Sequence, residues 1–174
     1  MAGPAAAVPV AVELALLVDV SGSVDNSEYN LQKTGYVNAF KDAIIQSNIA
    51  SLTGGIAVTY IEWSGANQQS SLVNWTHVTD AASANAFANA IAATTRAFSG
   101  LTAPGSAINY VAPDFSANSY EGARWVIDVS GDGSQNDGAN TATARDNFLN
   151  SAPTGVSAAV NGLAILGEGG LQSW

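Results

Sequence analysis

The sequence predicts an α/β protein on a doubly wound, mostly parallel open sheet. Three observations predict it. Leu14-Ala15-Leu16-Leu17-Val18 is a continuous apolar run closed by the polar string Asp19-Val20-Ser21-Gly22-Ser23, which fits a strand buried on both faces and ending in a loop. The stretch from Ile56 to Trp63 is β-branched and aromatic, as strands are, and Arg124 to Val129 reads as a further strand. Segments of helical spacing separate the strands, and that alternation implies a sheet covered by helices on both faces.

Taken in order, Val12 to Val18 is the first strand. Asp25 is placed to cap a helix, with Glu28 at the third position of a capping box. Tyr29, Tyr36, Val37, Phe40 and Ile44 then recur at helical spacing, which predicts a helix from about Asn26 to Gln46. Thr53-Gly54-Gly55 breaks the chain before the second strand, 56–63. Ser70 to Trp75 is a short third strand beyond a polar loop. Thr79 to Ala93 is Ala-rich and helical, with Phe87 and Ile91 on one face. Ser99 to Gly105 is a loop, and Pro104 suits the first turn of a helix running to about Phe115. Arg124 to Val129 is the fourth strand and runs into Ser130-Gly131-Asp132-Gly133. Ala139 to Asn150 is helical, and Val156 to Leu166 contains a fifth strand. Residues 1–11 read as a linker and 167–174 as a C-terminal tail, leaving one domain over 12–166.

The bulk numbers bound the function. A chain of 174 residues supports one domain with a real core. Lys plus Arg is 5 and Asp plus Glu is 14, a net charge of −9, which argues against nucleic acid and anionic membrane surfaces. There is no cysteine, so thiol catalysis, zinc–thiolate sites and disulfides are excluded. No apolar run approaches the roughly 18–20 residues of a membrane span. Met1 to Val10 lacks the basic start of a secretory signal.

The chemistry gathers at the carboxyl ends of strands, where open α/β sheets bind ligands. Asp19, Ser21 and Ser23 put one carboxylate and two hydroxyls on one loop. That is a hard-oxygen set suited to Mg²⁺ or Mn²⁺ and poor for zinc or copper. The loops after the first and fourth strands and the loop 99–105 should meet at one sheet edge, adding Thr102 and Asp132. Taken singly, each of these residues is also an ordinary cap or turn former. Asp128, inside the fourth strand, calls for a hydrogen-bonded structural role. Glu62 fits either such a role or the rim of the site. Asp137 reads as a turn or cap residue, His77 as a surface or strand-end residue, and Trp63, Trp75 and Trp125 as packing.

In this combination the sequence resembles the von Willebrand factor A domain and its metal-ion-dependent adhesion site. The family pattern is Asp-x-Ser-x-Ser, a distant Thr and a more distant Asp. Here DVSGS at 19–23, Thr102 in GLTAPGSAI and Asp132 in VIDVSGDG follow in that order. The resemblance covers about residues 12–166. It is nearer still to an uncharacterised bacterial branch of the superfamily, through VDVSGSVD, GYVNAF, IAVTYIEWSG, DAASANAF, RWVIDVSGDG and VNGLAIL. It implies a central first strand and the strand order third-second-first-fourth-fifth, with the third antiparallel at one edge. It implies one divalent ion, Mg²⁺ or Mn²⁺ with Ca²⁺ as a further candidate. Ser21, Ser23 and Thr102 would be direct ligands, with Asp19 and Asp132 acting directly or through water. The implied partner is a protein offering an acidic side chain to the ion, and the implied place is extracytoplasmic: periplasm, cell surface or secreted. The family fold continues with a sixth strand and a last helix, so either this chain is cut short or those elements are missing.

The expected function is therefore a metal-dependent binding module for adhesion or assembly, with no chemistry of its own. Two alternatives stand beside it. Gly131-Asp132-Gly133-Ser134-Gln135-Asn136-Asp137 is similar to the late Mg²⁺ loop of haloacid-dehalogenase-type phosphatases. Those enzymes, however, need a second aspartate where Ser21 stands and a lysine between the motifs, while Lys33 and Lys41 lie early in the first helix. The other alternative is a structural surface protein whose metal site goes unused. A Ser-His-Asp triad would have to use His77 without a Gly-x-Ser-x-Gly elbow. No Gly-x-Gly-x-x-Gly follows the first strand.

Overall fold

Every side chain along the stretch 15–18 is buried, and successive ones face different layers of helix, as a central strand requires. The computed structural model describes residues 6–165. Its elements, in chain order, begin with β1 (Val8–Val10), β2 (Val12–Asp19), α1 (Asn26–Lys41), α2 (Ala43–Ser51), β3 (Ile56–Trp63) and β4 (Gln69–Val78). They continue with α3 (Ala81–Ala92), α4 (Pro104–Val111), α5 (Asp114–Ala117), β5 (Tyr120–Gly122), β6 (Arg124–Gly131), α6 (Thr141–Ser151) and β7 (Ser157–Ala164).

The main sheet has the order β4-β3-β2-β6-β7, the order the resemblance implies. β2 pairs in parallel with β3 and with β6, β6 pairs in parallel with β7, and β4 runs antiparallel along β3. Ala15 and Leu17 face one core with Ile61, Trp63, Ile108, Phe115, Trp125, Ile127 and Phe148, beneath α4 and α6. Leu16 and Val18 face the other with Phe40, Val58, Tyr60, Phe87 and Ile91, beneath α1 and α3. The alternation along one strand thus supplies both layers. All three tryptophans named above pack against the first core: Trp63 and Trp125 are buried members of it, and Trp75 is partly buried beside it.

Three expectations are corrected. The single helix over 26–46 is two helices. Asp42 takes an extended conformation and its Oδ1 accepts from the N–H groups of Ile44 and Ile45 at 2.9 and 3.0 Å, so a fresh N-cap interrupts the apolar period. The helix over 104–115 likewise stops at Val111, and α5 restarts after Pro113, whose missing N–H cannot continue the ladder. The linker 1–11 is in part structured. β1 forms a parallel ladder with β5, Val8 to Tyr120 and Val10 to Gly122, and Val10 is 4% exposed. Neither three-residue strand is long enough to show a period. The tail 167–174 lies outside the described residues.

A buried carboxylate ties this second ladder to the main sheet. Glu13, at the start of β2, is 0% exposed. It accepts from Asn118 Nδ2 at 2.6 Å, Gly122 N at 2.7 Å and Trp125 Nε1 at 3.1 Å. Burial pushes its carboxyl above the ordinary range, against the pull of those three donors.

Candidate metal centre

β2 delivers Asp19 at its carboxyl end, and β6, pairing parallel to β2, delivers Asp132 one residue past its own end. Asp19 is 0% exposed. Its Oδ1 accepts from Ser21 N at 2.7 Å, and its Oδ2 is buried with no hydrogen-bond partner. The hydroxyls of Ser21 and Ser23 lie 3.2 Å apart, and Ser23 Oγ donates to Asp132 Oδ1 at 2.7 Å. Four of the five predicted residues therefore form one connected polar run across two loops. Burial pushes the Asp19 carboxyl from an ordinary 3.8 up to about 6, against the stabilising bonds from Ser21; the nearby Asp132 charge adds to the rise.

Thr102 reaches this place by its backbone. It is 4% exposed, its N–H donates to Asn136 Oδ1 at 2.8 Å, and its carbonyl accepts from Asn136 N at 3.0 Å and Asp137 N at 3.2 Å. Two residues earlier, Gly100 O accepts from Gly22 N at 2.8 Å. The loop carrying Thr102 is thus sewn to both neighbours, while the bonds joining Asp19, Ser21, Ser23 and Asp132 do not include its hydroxyl.

Behind these residues stands a frame that sequence reasoning did not single out. Ser64, fully buried just past β3, accepts from Gly100 N at 2.8 Å and donates to Leu101 O at 2.9 Å. Gln32 Nε2 donates to Asp19 O at 3.2 Å, and its Oε1 accepts from Ser130 Oγ at 2.9 Å. Arg96 donates to three carbonyls of the 20–24 turn. The one available signal was the scarcity of cations: an arginine among five basic residues, placed in a loop between two helices.

The remaining candidates separate cleanly. Asp137 Oδ2 accepts from Ala66 N at 2.8 Å, clasping two loops together. Glu62 is wholly buried, accepting from Tyr29 Oη at 2.9 Å and Ala97 N at 2.8 Å, so it braces the loop and does not line its rim. Asp128 Oδ1 accepts from Asn161 Nδ2 at 2.6 Å, a bond between β6 and β7 that matches the hydrogen-bonded role expected of it. His77 Nε2 lies 2.7 Å from Gly54 O, beside the start of β3 and away from the carboxyl ends of the parallel strands.

The donors fit a hard divalent cation. They are two carboxylates and three hydroxyls, with no nitrogen or sulfur. Among the described residues no three histidine, aspartate or glutamate side chains gather as a metal cluster, and at this place the further side-chain oxygens on offer are hydroxyls. A buried carboxylate oxygen without a partner is costly, and a cation is one way to satisfy it.

Solved structures share this architecture. Proximal thread matrix protein 1 from the mussel byssus, in a structure with a zinc-occupied MIDAS motif, is 15% identical with a TM-score of 0.67 over 91% of this chain. The PilB minor pilin of Streptococcus sanguinis is 20% identical, TM-score 0.53, over 71%. An aerotolerance-related membrane protein from Bacteroides fragilis is 20% identical, TM-score 0.51, over 91% of this chain and 74% of that one. The chain spans 39% of the mussel protein and 30% of the pilin. At these identities the likeness is one of fold, a von Willebrand factor A-like sheet with helices on both faces. No curated protein matches the sequence. The family model described as a protein of unknown function, DUF1194, matches residues 9–174, and the chain belongs to that family.

Proposed function

We propose that this chain is a divalent-metal-dependent protein-binding module, serving adhesion or assembly and not turnover. The observation that carries the reading is the buried, unpartnered Oδ2 of Asp19 at the head of the run Asp19–Ser21–Ser23–Asp132. Ser21, Ser23 and Thr102 would hold the ion directly, and Asp19 and Asp132 directly or through water. A bound ion would supply positive charge and an open coordination position for a partner's carboxylate. The neutral hydroxyls cancel none of that charge, which stays available to the partner where the aspartates act through water. Mg²⁺ and Mn²⁺ suit the oxygen donors best, Ca²⁺ follows, and the zinc of the mussel protein's motif places Zn²⁺ in the same test.

Pilus proteins among the structural neighbours support a protein partner and an extracytoplasmic site of action. Among the described residues no helix is long and apolar enough to cross a membrane. The acidic balance disfavours nucleic acid. The contacts of Lys33, whose Nζ donates to Thr94 O at 3.1 Å and lies 5.3 Å from the Tyr29 ring centroid, disfavour the phosphatase alternative.

The test is partner capture from the native source by wild type and Asp19→Ala, in Mg²⁺ and in EDTA, with calorimetry for Mg²⁺, Mn²⁺, Ca²⁺ and Zn²⁺. Wild type should bind ion saturably and capture partner only without chelator, while Asp19→Ala does neither yet keeps its fold. Capture indifferent to both chelator and mutation would remove this reading. Phosphate release dependent on Asp19 would replace it with the enzyme.

A further inference from the structure

The backbone of the 19–25 turn is held as closely as its hydroxyls. Arg96 lies half-buried in the loop between α3 and α4. Its Nη2 donates to the carbonyls of Val20 at 3.0 Å, Ser21 at 2.8 Å and Val24 at 2.8 Å, and its Nε donates to Phe98 O at 3.0 Å. The guanidinium carbon sits 5.6 Å from the centroid of the Tyr29 ring. Tyr29 in turn donates to Glu62, whose second oxygen accepts from the N–H of Ala97, next to Arg96. One cation of the five in the chain is thus committed to uncharged carbonyls of the loop that carries Ser21 and Ser23.

We infer that Arg96 is a positioning residue for the candidate metal centre: by gathering the carbonyls of Val20, Ser21 and Val24 it holds the turn in its ligating shape before any ion arrives. The inference rests on the reading that Asp19, Ser21, Ser23, Thr102 and Asp132 hold an ion. The two N–H groups of Nη2 serve the three turn carbonyls, one of them shared, while Nε serves the fourth from its own loop in a fixed plane; an ammonium on a flexible stem has three donors and cannot hold all four. The Arg96 bonds also join the loop of Thr102 to the loop of the serines, so ligands from both sides share one brace. A turn already ordered spares the ion the entropy of ordering it. On charge alone Arg96 would do the reverse, because a guanidinium near the site repels a divalent cation. Position and charge therefore predict opposite signs when the charge is removed.

The experiment compares wild type, Arg96→Lys and Arg96→Met by calorimetry with Mg²⁺ and Mn²⁺, by thermal unfolding in EDTA, and by amide hydrogen exchange at Gly22 and Val24. In wild type these two amides should be equally protected in EDTA and in Mg²⁺. Arg96→Lys should stay folded, lose that protection and bind Mg²⁺ about 10–100-fold more weakly, the usual cost of removing a residue that orients metal ligands. Arg96→Met should weaken binding too, despite relieving repulsion. Unchanged affinity in both variants, or tighter binding in Arg96→Met with Arg96→Lys unchanged, would overturn the inference while leaving the metal site standing. So would protection of Gly22 and Val24 that develops in wild type only when ion is added, a result that needs no variant to fold. Wild type that takes up no ion at all would bring down the metal reading, and this inference with it.

Discussion

Asp19 ends a strand that is buried from Ala15 onward, and its Oδ2 is buried with no hydrogen-bond donor from the protein. Its carboxyl is held up at about 6, chiefly by burial. The folded chain therefore keeps this proton where the unfolded chain, near the ordinary 3.8, has released it. The contribution of Asp19 to metal-free stability then falls as pH rises from about 4 to about 6 and levels off above, by an amount on the order of 2–3 kcal/mol. Asp19→Asn should remove its share of the measured slope, leaving the part owed to Glu13 and Glu62, whose carboxyls burial also raises, and should raise the metal-free unfolding temperature at pH 7, measured by calorimetric scans in EDTA across pH 4–8. An unchanged slope would place the penalty elsewhere, with Glu13 and Glu62 the other buried carboxyls.

At the scale of elements, β2 carries a carboxylate near each end, and the two do different work. Glu13 satisfies Asn118, Gly122 and Trp125 and so binds the β1–β5 ladder to the sheet. Even the lack of a Cβ at Gly122 belongs to this contact, since one would meet Glu13 Cγ at 2.9 Å. Glu13→Ala would leave three donors unmatched in a buried place and should cost about 3 kcal/mol in urea unfolding. Six residue steps along the strand, about 20 Å, separate it from Asp19, so the ion affinity of the folded variant should stay at the wild-type value. A loss of affinity in proportion to the loss of stability would mean that the two ends of β2 are coupled. The helices show a local conflict in the same way: Phe40 and Ile44 keep helical spacing across Asp42, yet the Asp42 carboxylate caps α2 and divides the run.

For the whole molecule, the candidate ligands come from three loops joined by hydrogen bonds such as Gly22 to Gly100 and Asn136 to Thr102 and by the packing of Phe98 on Val20 and Val24. An ion held by all three would link β2, β6 and the segment before α4, elements that separate on unfolding. At a free concentration one hundred times its Kd, an ion with no affinity for the unfolded chain adds about 2.7 kcal/mol. For a chain of this size that corresponds to about 5–10 °C in Tm. The shift should appear with Mg²⁺ or Mn²⁺, shrink in Thr102→Ala and vanish in Asp19→Ala. A net charge of −9 favours cation uptake generally, so a shift that survives Asp19→Ala would mark diffuse binding and not this site.

The strands, their order of appearance and the Asp-x-Ser-x-Ser turn were legible because burial leaves a short-range signature: an apolar run for a central strand, a polar string where it leaves the sheet, a helical period between. Pro113 and Asp42 stand in the sequence as a breaker and a cap, but the apolar spacing runs across both. What tertiary structure alone decided is whatever depends on two distant segments meeting. β1 and β5 are three residues each and become strands only because Glu13 and the neighbouring chain hold them side by side. Glu62 could be rim or brace until the fold turned it toward Tyr29 and Ala97. Arg96 has no local pattern at all. Its role comes from carbonyls more than seventy positions away, which the parallel pairing of β2 with β3 and the return of α3 bring within 3.0 Å of its guanidinium. Side-chain periodicity records which face of an element is buried; it carries no record of which loop a given side chain will reach.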